Sequence, residues 1–230
     1  MSALLILASL TASPAGTLAA RGYASMNAAS QALSPEMQTG TLLLSKGDCL
    51  AVRVFTQSPY THVAAVVVKD GRPFVYDATS GVGVRCQEMD KYLISQNPDQ
   101  IHVFHPRRPF PKQRSLAFQQ YLDSQLGKPY AIKHHLTGKR AHGIHCAEYV
   151  IDALHACNLM RAKQPSRVSP ASLVVGITKS RFYAPGKTVQ LKKPPELKEQ
   201  GGNWCDQLWI DTKQCVSLCC FRMKRWILCR

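Results

Sequence analysis

The run His145-Cys146-Ala147-Glu148-Tyr149-Val150 opens an apolar stripe at helical spacing: positions 146, 149, 150, 153, 154 and 157 hold Cys, Tyr, Val, Ala, Leu and Cys. Glu148, Asp152 and His155 fall away from that stripe. Cys146 therefore heads a helix, with its thiol turned toward whatever the stripe packs on. A helix N-terminus favours a thiolate, because unpaired amides and aligned peptide dipoles gather positive charge there. Taken alone, a cysteine in this place is as well explained as a small core residue. A second stretch changes the balance. Thr61-His62-Val63-Ala64-Ala65-Val66-Val67-Val68 reads as a strand that opens on an imidazole. An imidazole can take the proton of such a thiol, which is how a cysteine nucleophile is activated.

Asp70-Gly71 is a hairpin turn signal. Centring the turn there sets Lys69 opposite Arg72, Ala64 opposite Asp77 and His62 opposite Thr79. Side chains alternate across a strand, so His62, Ala64, Asp77 and Thr79 share one face. Asp77 is then the diagonal neighbour of His62, at roughly 7–8 Å between backbones and within reach through side chains. A carboxylate there would accept the second imidazole N–H and fix the tautomer. A slip of one residue would send Asp77 to the other face. Cys146, His62 and Asp77 are the expected nucleophile, base and orienting acid.

Outward from this core, strands are expected over 41–44, 48–55, 72–78, 83–89 and 100–106. Helices are expected over 115–126, from Cys146 onward, and over 171–178 after Ser169-Pro170. A polar loop covers 128–144. No internal repeat is present. The expected organisation is a leader (1–20), a linker (21–40), a catalytic domain (41–185), a Lys/Pro-rich linker (186–202) and a Cys/Trp-rich basic tail (203–230). The leader has a short apolar core and small residues where a signal peptidase could cut, but no Lys or Arg before the apolar run. We read it as an export signal to the cell envelope, the alternative being a leader that stays attached.

The 230 residues suffice for one domain with a real core, and the hydrophobic share of 45% argues against disorder and against a multi-span membrane protein. A formal charge of +15 favours anionic partners without choosing among them. Nucleic acid is not the expected partner, since the basic residues are spread out and form no continuous Arg/Lys helix. Nine cysteines fit one nucleophile plus pairable thiols, or nine reduced thiols. His134, His135, His142, His145 and Cys146 crowd one stretch, but only His142 and His145 approach a ligand-pair spacing. No metal site and no cofactor is expected.

These motifs resemble a known family. Gly47-Asp48, Thr61-His62-Val63-Ala64, an acid after the hairpin, Gly127-Lys128-Pro129-Tyr130, His145 to Val150 and Val168-Ser169-Pro170-Ala171-Ser172-Leu173 follow one another as in the circularly permuted branch of the NlpC-type papain-like superfamily. YiiX-like amidases and lecithin retinol acyltransferase belong to that branch, and the likeness runs from about Gly40 to Pro185. Thr61, His145 and Ala147 stand where members often have Ser, Tyr and Ser. The resemblance implies an α+β fold, an antiparallel sheet or half-barrel packed on the helix that carries Cys146. It implies a cysteine hydrolase acting on an amide through Cys146, His62 and Asp77, on a peptide substrate such as a peptidoglycan stem peptide. Tyr130 would lend a hydroxyl to the oxyanion hole, a packed tyrosine being the alternative. His145 and Glu148 would sit near the oxyanion or substrate, Glu148 mainly as a structural acid at the helix start. Other readings keep the fold: a thiol-dependent acyltransferase or lipid hydrolase at an anionic membrane surface reached through the tail, or a binding module without turnover.

Overall fold

The structure is a computed structural model that describes residues 21–23, 25–46 and 58–191. The leader, Gly47-Asp48 with the strand expected up to Phe55, residues 192–202 and the tail lie outside the described residues. Among the described residues, seven strands form one mixed sheet: β1 (Arg21–Tyr23), β2 (Leu42–Lys46), β3 (Tyr60–Lys69), β4 (Arg72–Thr79), β5 (Gly83–Glu88), β6 (Gln100–Pro106) and β7 (Tyr183–Leu191). Their order is β1-β7-β6-β2-β3-β4-β5, antiparallel except where β1 runs parallel to β7. Among the described residues, six α-helices accompany the sheet: α1 (Met26–Leu33), α2 (Met89–Gln96), α3 (Lys112–Ser124), α4 (Lys133–Thr137), α5 (Cys146–Ala156) and α6 (Pro170–Lys179).

The β3–β4 hairpin has the register expected from its turn. Asp70 and Gly71 both have positive φ (50° and 75°), and Ala65 faces Tyr76 and Lys69 faces Arg72. Positive φ at both turn residues matches the twist of the strands it joins. Alternation along β3 then feeds two cores. Val63, Ala65 and Val67 pack with α5 and α3, whereas Ala64 and Val66 pack with α1 and α2. The stripe on α5 is buried throughout, from Cys146 (4% exposed) to Cys157 (4%). The ring of Tyr149 is fully covered, and its hydroxyl donates to the Leu122 carbonyl on α3 at 2.7 Å.

Three segments differ from expectation. Residues 21–40, read as a linker, hold β1, α1 and a 3-10 turn (Ser34–Glu36). Ser25 caps α1 through a bond from the Ala28 amide, and Leu33 enters the second core. Met26–Leu33 is mostly small residues, so its apolar face is narrow and easily missed. Residues 186–191, read as the start of a linker, complete β7 against β6, and a register shift between His102 and Phe104 accommodates Pro185. The polar stretch 128–144 contains the short helix α4. No helix among the described residues is long and apolar enough to cross a membrane.

Leu154 lies on the α5 stripe with no exposed surface. We expect Leu154→Ala to cost about 2–5 kcal/mol in urea denaturation, with an unchanged m value.

Candidate active site

The first amides of α5 have no acceptor within the helix, as at any helix start. His145 takes the capping role more often given to Ser or Asp. Its Nδ1 accepts from the Glu148 amide at 3.3 Å, and its Nε2 donates to the Ser166 carbonyl at 2.8 Å. Both bonds suit the neutral ring protonated on Nε2. Cys146 follows as the first helical residue, its thiol within reach of both His145 and His62.

Burial alone would push the Cys146 thiol up. The hydrogen-bonding contacts with His145 and His62, then their charges, override this and bring it down to about 6. His62 responds in the opposite sense. Burial would lower it, but Asp77 and Cys146 raise it to about 10. The two groups therefore favour a thiolate–imidazolium pair over a wide interval. His145 is also raised, by the sulfur beside it and against its burial. In the capped geometry His145 has no N–H left for the sulfur, and a protonated His145 would have to release its cap on Glu148, so His62 is the ring free to hold the proton and the charge that keeps the thiolate.

His62 stands near the start of β3, opposite Ser45 on β2, where the ladder is interrupted between Ser45 and Lys46. Its side chain is 13% exposed. Nε2 lies 3.3 Å from Asp77 Oδ2, an ion-pair contact whose angle falls short of a hydrogen bond. With Nε2 turned to the carboxylate, Nδ1 is left for the sulfur.

Asp77 has no exposed surface, and its charge is held by more than the imidazole. Arg85, its cross-strand partner on β5, donates Nε to Oδ1 at 2.9 Å and Nη2 to Oδ2 at 3.3 Å. Gln96, at the end of α2, donates Nε2 to Oδ2 at 2.8 Å. Burial would raise this carboxyl, but His62 and then Arg85 keep it below its ordinary range. Sequence reasoning missed Arg85 and Gln96. Arg85 had a readable signal, since a turn over 80–82 sets it opposite Asp77. Gln96 had none.

Tyr130 reaches the thiol on a segment fixed at both ends. Gly127 and Lys128 exchange backbone bonds with Val84 on β5 (3.0 and 2.8 Å), and Tyr130 bridges to Ile144 just before the cap. Gly143, at φ +111°, permits the approach; a Cβ there would meet the Pro129 carbonyl oxygen at 2.6 Å. Burial, then the charge of Cys146 and a hydrogen-bonding contact with it, keep the Tyr130 phenol well above its ordinary range, so it remains a donor.

Glu148 and His145 are both buried. Glu148 is 1% exposed, accepts a hydrogen bond from His134 Nδ1 at 2.9 Å and is ion-paired to Arg140 Nε at 2.8 Å, while His134 Nε2 accepts from the Ala141 amide. Both residues frame α5 instead of lining an open subsite. Glu148 leaves the α5 stripe as its spacing requires, yet α4 and its loop cover it. Among the described residues, no three His, Cys, Asp or Glu side chains gather as a metal-ligand set.

No curated protein matches the chain. Among solved structures, the crystal structure of metalloprotein yiiX from Escherichia coli O157:H7, DUF1105, is similar at 18% identity, covering 73% of this chain and 98% of that chain with a TM-score of 0.45. A family model described as permuted papain-like amidase enzyme, YaeF/YiiX, C92 family, matches residues 36–176. That span is more than half of the sequence and contains Cys146, His62, Asp77 and Tyr130; the protein belongs to the permuted papain-like amidases of the YaeF/YiiX type.

Proposed function

We propose that the protein hydrolyses amide bonds through Cys146, with His62 as general base and acid and Asp77 as its orienting carboxylate. The observation that carries this reading is the placement of Cys146 as the first residue of a buried helix beside His62, whose Nε2 lies 3.3 Å from the buried Asp77 carboxylate. His62 takes the thiol proton, and the sulfur attacks the carbonyl carbon to form a C–S bond. The oxyanion forms beside the Cys146 amide and the Tyr130 hydroxyl. The C–N bond breaks as His62 returns the proton to the leaving amine. Water, deprotonated by His62, then cleaves the acyl-enzyme and restores the thiol. Cell-wall-type stem peptides are the proposed substrates, a choice supported by the amidase family.

A second reading, ester or thioester cleavage on an apolar acyl chain, is favoured by Val82, Leu126 and Ile132. These side chains are 60%, 43% and 41% exposed on the two segments that flank the Val84–Lys128 pairing and Tyr130.

The test is incubation with a synthetic stem peptide and with a long-chain thioester, with products read by mass spectrometry. Amine release by the native protein, lost in Cys146→Ala, supports the amidase. Release only from the thioester moves the assignment to the second reading. Equal turnover by Cys146→Ala sinks both.

We expect Cys146→Ala and His62→Ala to lower kcat/KM by about a thousandfold or more, with circular dichroism unchanged. Asp77→Asn should lower kcat by about ten- to a hundredfold with little change in KM. The pH profile of kcat/KM should rise through about 6, as the thiol ionises, and fall through about 10, as His62 loses the proton owed to the leaving amine. A flat profile from about pH 5 to about pH 7 would count against this pair. Removing the Arg85 charge strengthens the field of Asp77 on His62. Arg85→Gln should therefore move the basic limb to higher pH, and Arg85→Lys should leave it near its original place.

A further inference from the structure

Behind the cap of α5, the loop after α4 and the 3-10 turn Pro165–Arg167 enclose a groove of about 370 Å³. Lys139, Arg140, Lys163 and Arg167 line it, and no acidic side chain does. The charge of Arg140 is met by Glu148 and Asp152. The other three charges have no such partner among the described residues. Lys139 and Lys163 are exposed, and Arg167 Nη2 reaches only the Thr137 carbonyl at 3.5 Å. Like charges repel, so a protein gathers them around one cavity only at a cost that a bound anion would offset.

The groove is shaped by packing. Gly138 has φ +73°, and a Cβ there would come 2.6 Å from Arg167 Nε, so its bareness lets the guanidinium lie close. Ser166 Oγ donates to the Gly138 carbonyl at 2.8 Å, which ties the two walls together. The Ser166 carbonyl in turn receives His145 Nε2 at 2.8 Å. The groove therefore adjoins the seat of the nucleophile's cap, yet Cys146, His62, Asp77 and Tyr130 do not line it.

We propose that this groove binds the phosphate group of an anionic ligand. Two ammonium groups and a planar guanidinium around one opening suit a dianion with oxygens in several directions. The same chemistry is offered by a soluble phosphate ester and by a lipid headgroup. The site stands apart from turnover, so its test uses the full chain carrying Cys146→Ala. Calorimetric titration with inorganic pyrophosphate addresses the soluble source. Sedimentation with phosphatidylcholine vesicles, with and without phosphatidic acid, addresses the headgroup. Both are repeated in Lys139→Ala/Lys163→Ala and in Lys112→Ala, an exposed lysine of α3 outside the groove.

We expect binding that weakens as salt is raised, by about tenfold or more in the double variant, and is unchanged in Lys112→Ala. Loss confined to pyrophosphate identifies a soluble ester, and loss confined to phosphatidic acid vesicles identifies a headgroup. No binding to either probe, no change in the double variant, or an equal loss in Lys112→Ala overturns the proposal.

Discussion

A carboxylate without exposed surface must be bonded on every side or lose its charge, and Asp77 is the point on which the rest of the site turns. Its partners come from three elements: His62 from β3, Arg85 from β5 and Gln96 from α2. The sheet register and the packing of α2 are thus tied to the position of the imidazole. A second charge beside the carboxylate also tempers its pull on His62. The imidazole is held by a cluster, not by one acid.

The thiol depends on a balance of the opposite kind. Burial disfavours its ionised form; His62 as an imidazolium restores it, and His145 is the second ring beside the sulfur. Those imidazoles differ in freedom. His145 is committed at both nitrogens to the backbone of α5 and the 3-10 turn, whereas His62 is anchored at one edge by a carboxylate. Glu148, hydrogen-bonded to His134 and ion-paired to Arg140 beneath the same helix start, ties the helix to the α4 loop. The scaffold around the sulfur is therefore more polar than the apolar stripe of α5 suggests.

What could be read from the sequence was whatever short-range periodicity encodes. The Asp70-Gly71 turn carries the β3–β4 register, and the spacing from Cys146 to Cys157 carries the buried face of α5. The family motifs carried the order of these parts. Long-range closure was hidden. Gln96 meets Asp77 only because α2 folds back over the sheet, and nothing local marks it. Glu148 leaves the apolar stripe as its spacing requires, but which loop would cover it is a tertiary fact. Residues 186–191 look like a linker because Pro185, Gly186 and Lys187 disfavour strands, and pairing with β6 overrides that preference.

β5 stands last in the sheet, where a strand presents unpaired backbone groups to solvent. The Gly127–Lys128 segment covers part of that edge through its two bonds to Val84. The same bonds deliver Tyr130 to the sulfur. Protection against edge-to-edge association and placement of the Tyr130 hydroxyl beside Cys146 are thus one feature, so sequence drift that loosens this segment would cost colloidal stability together with that contact.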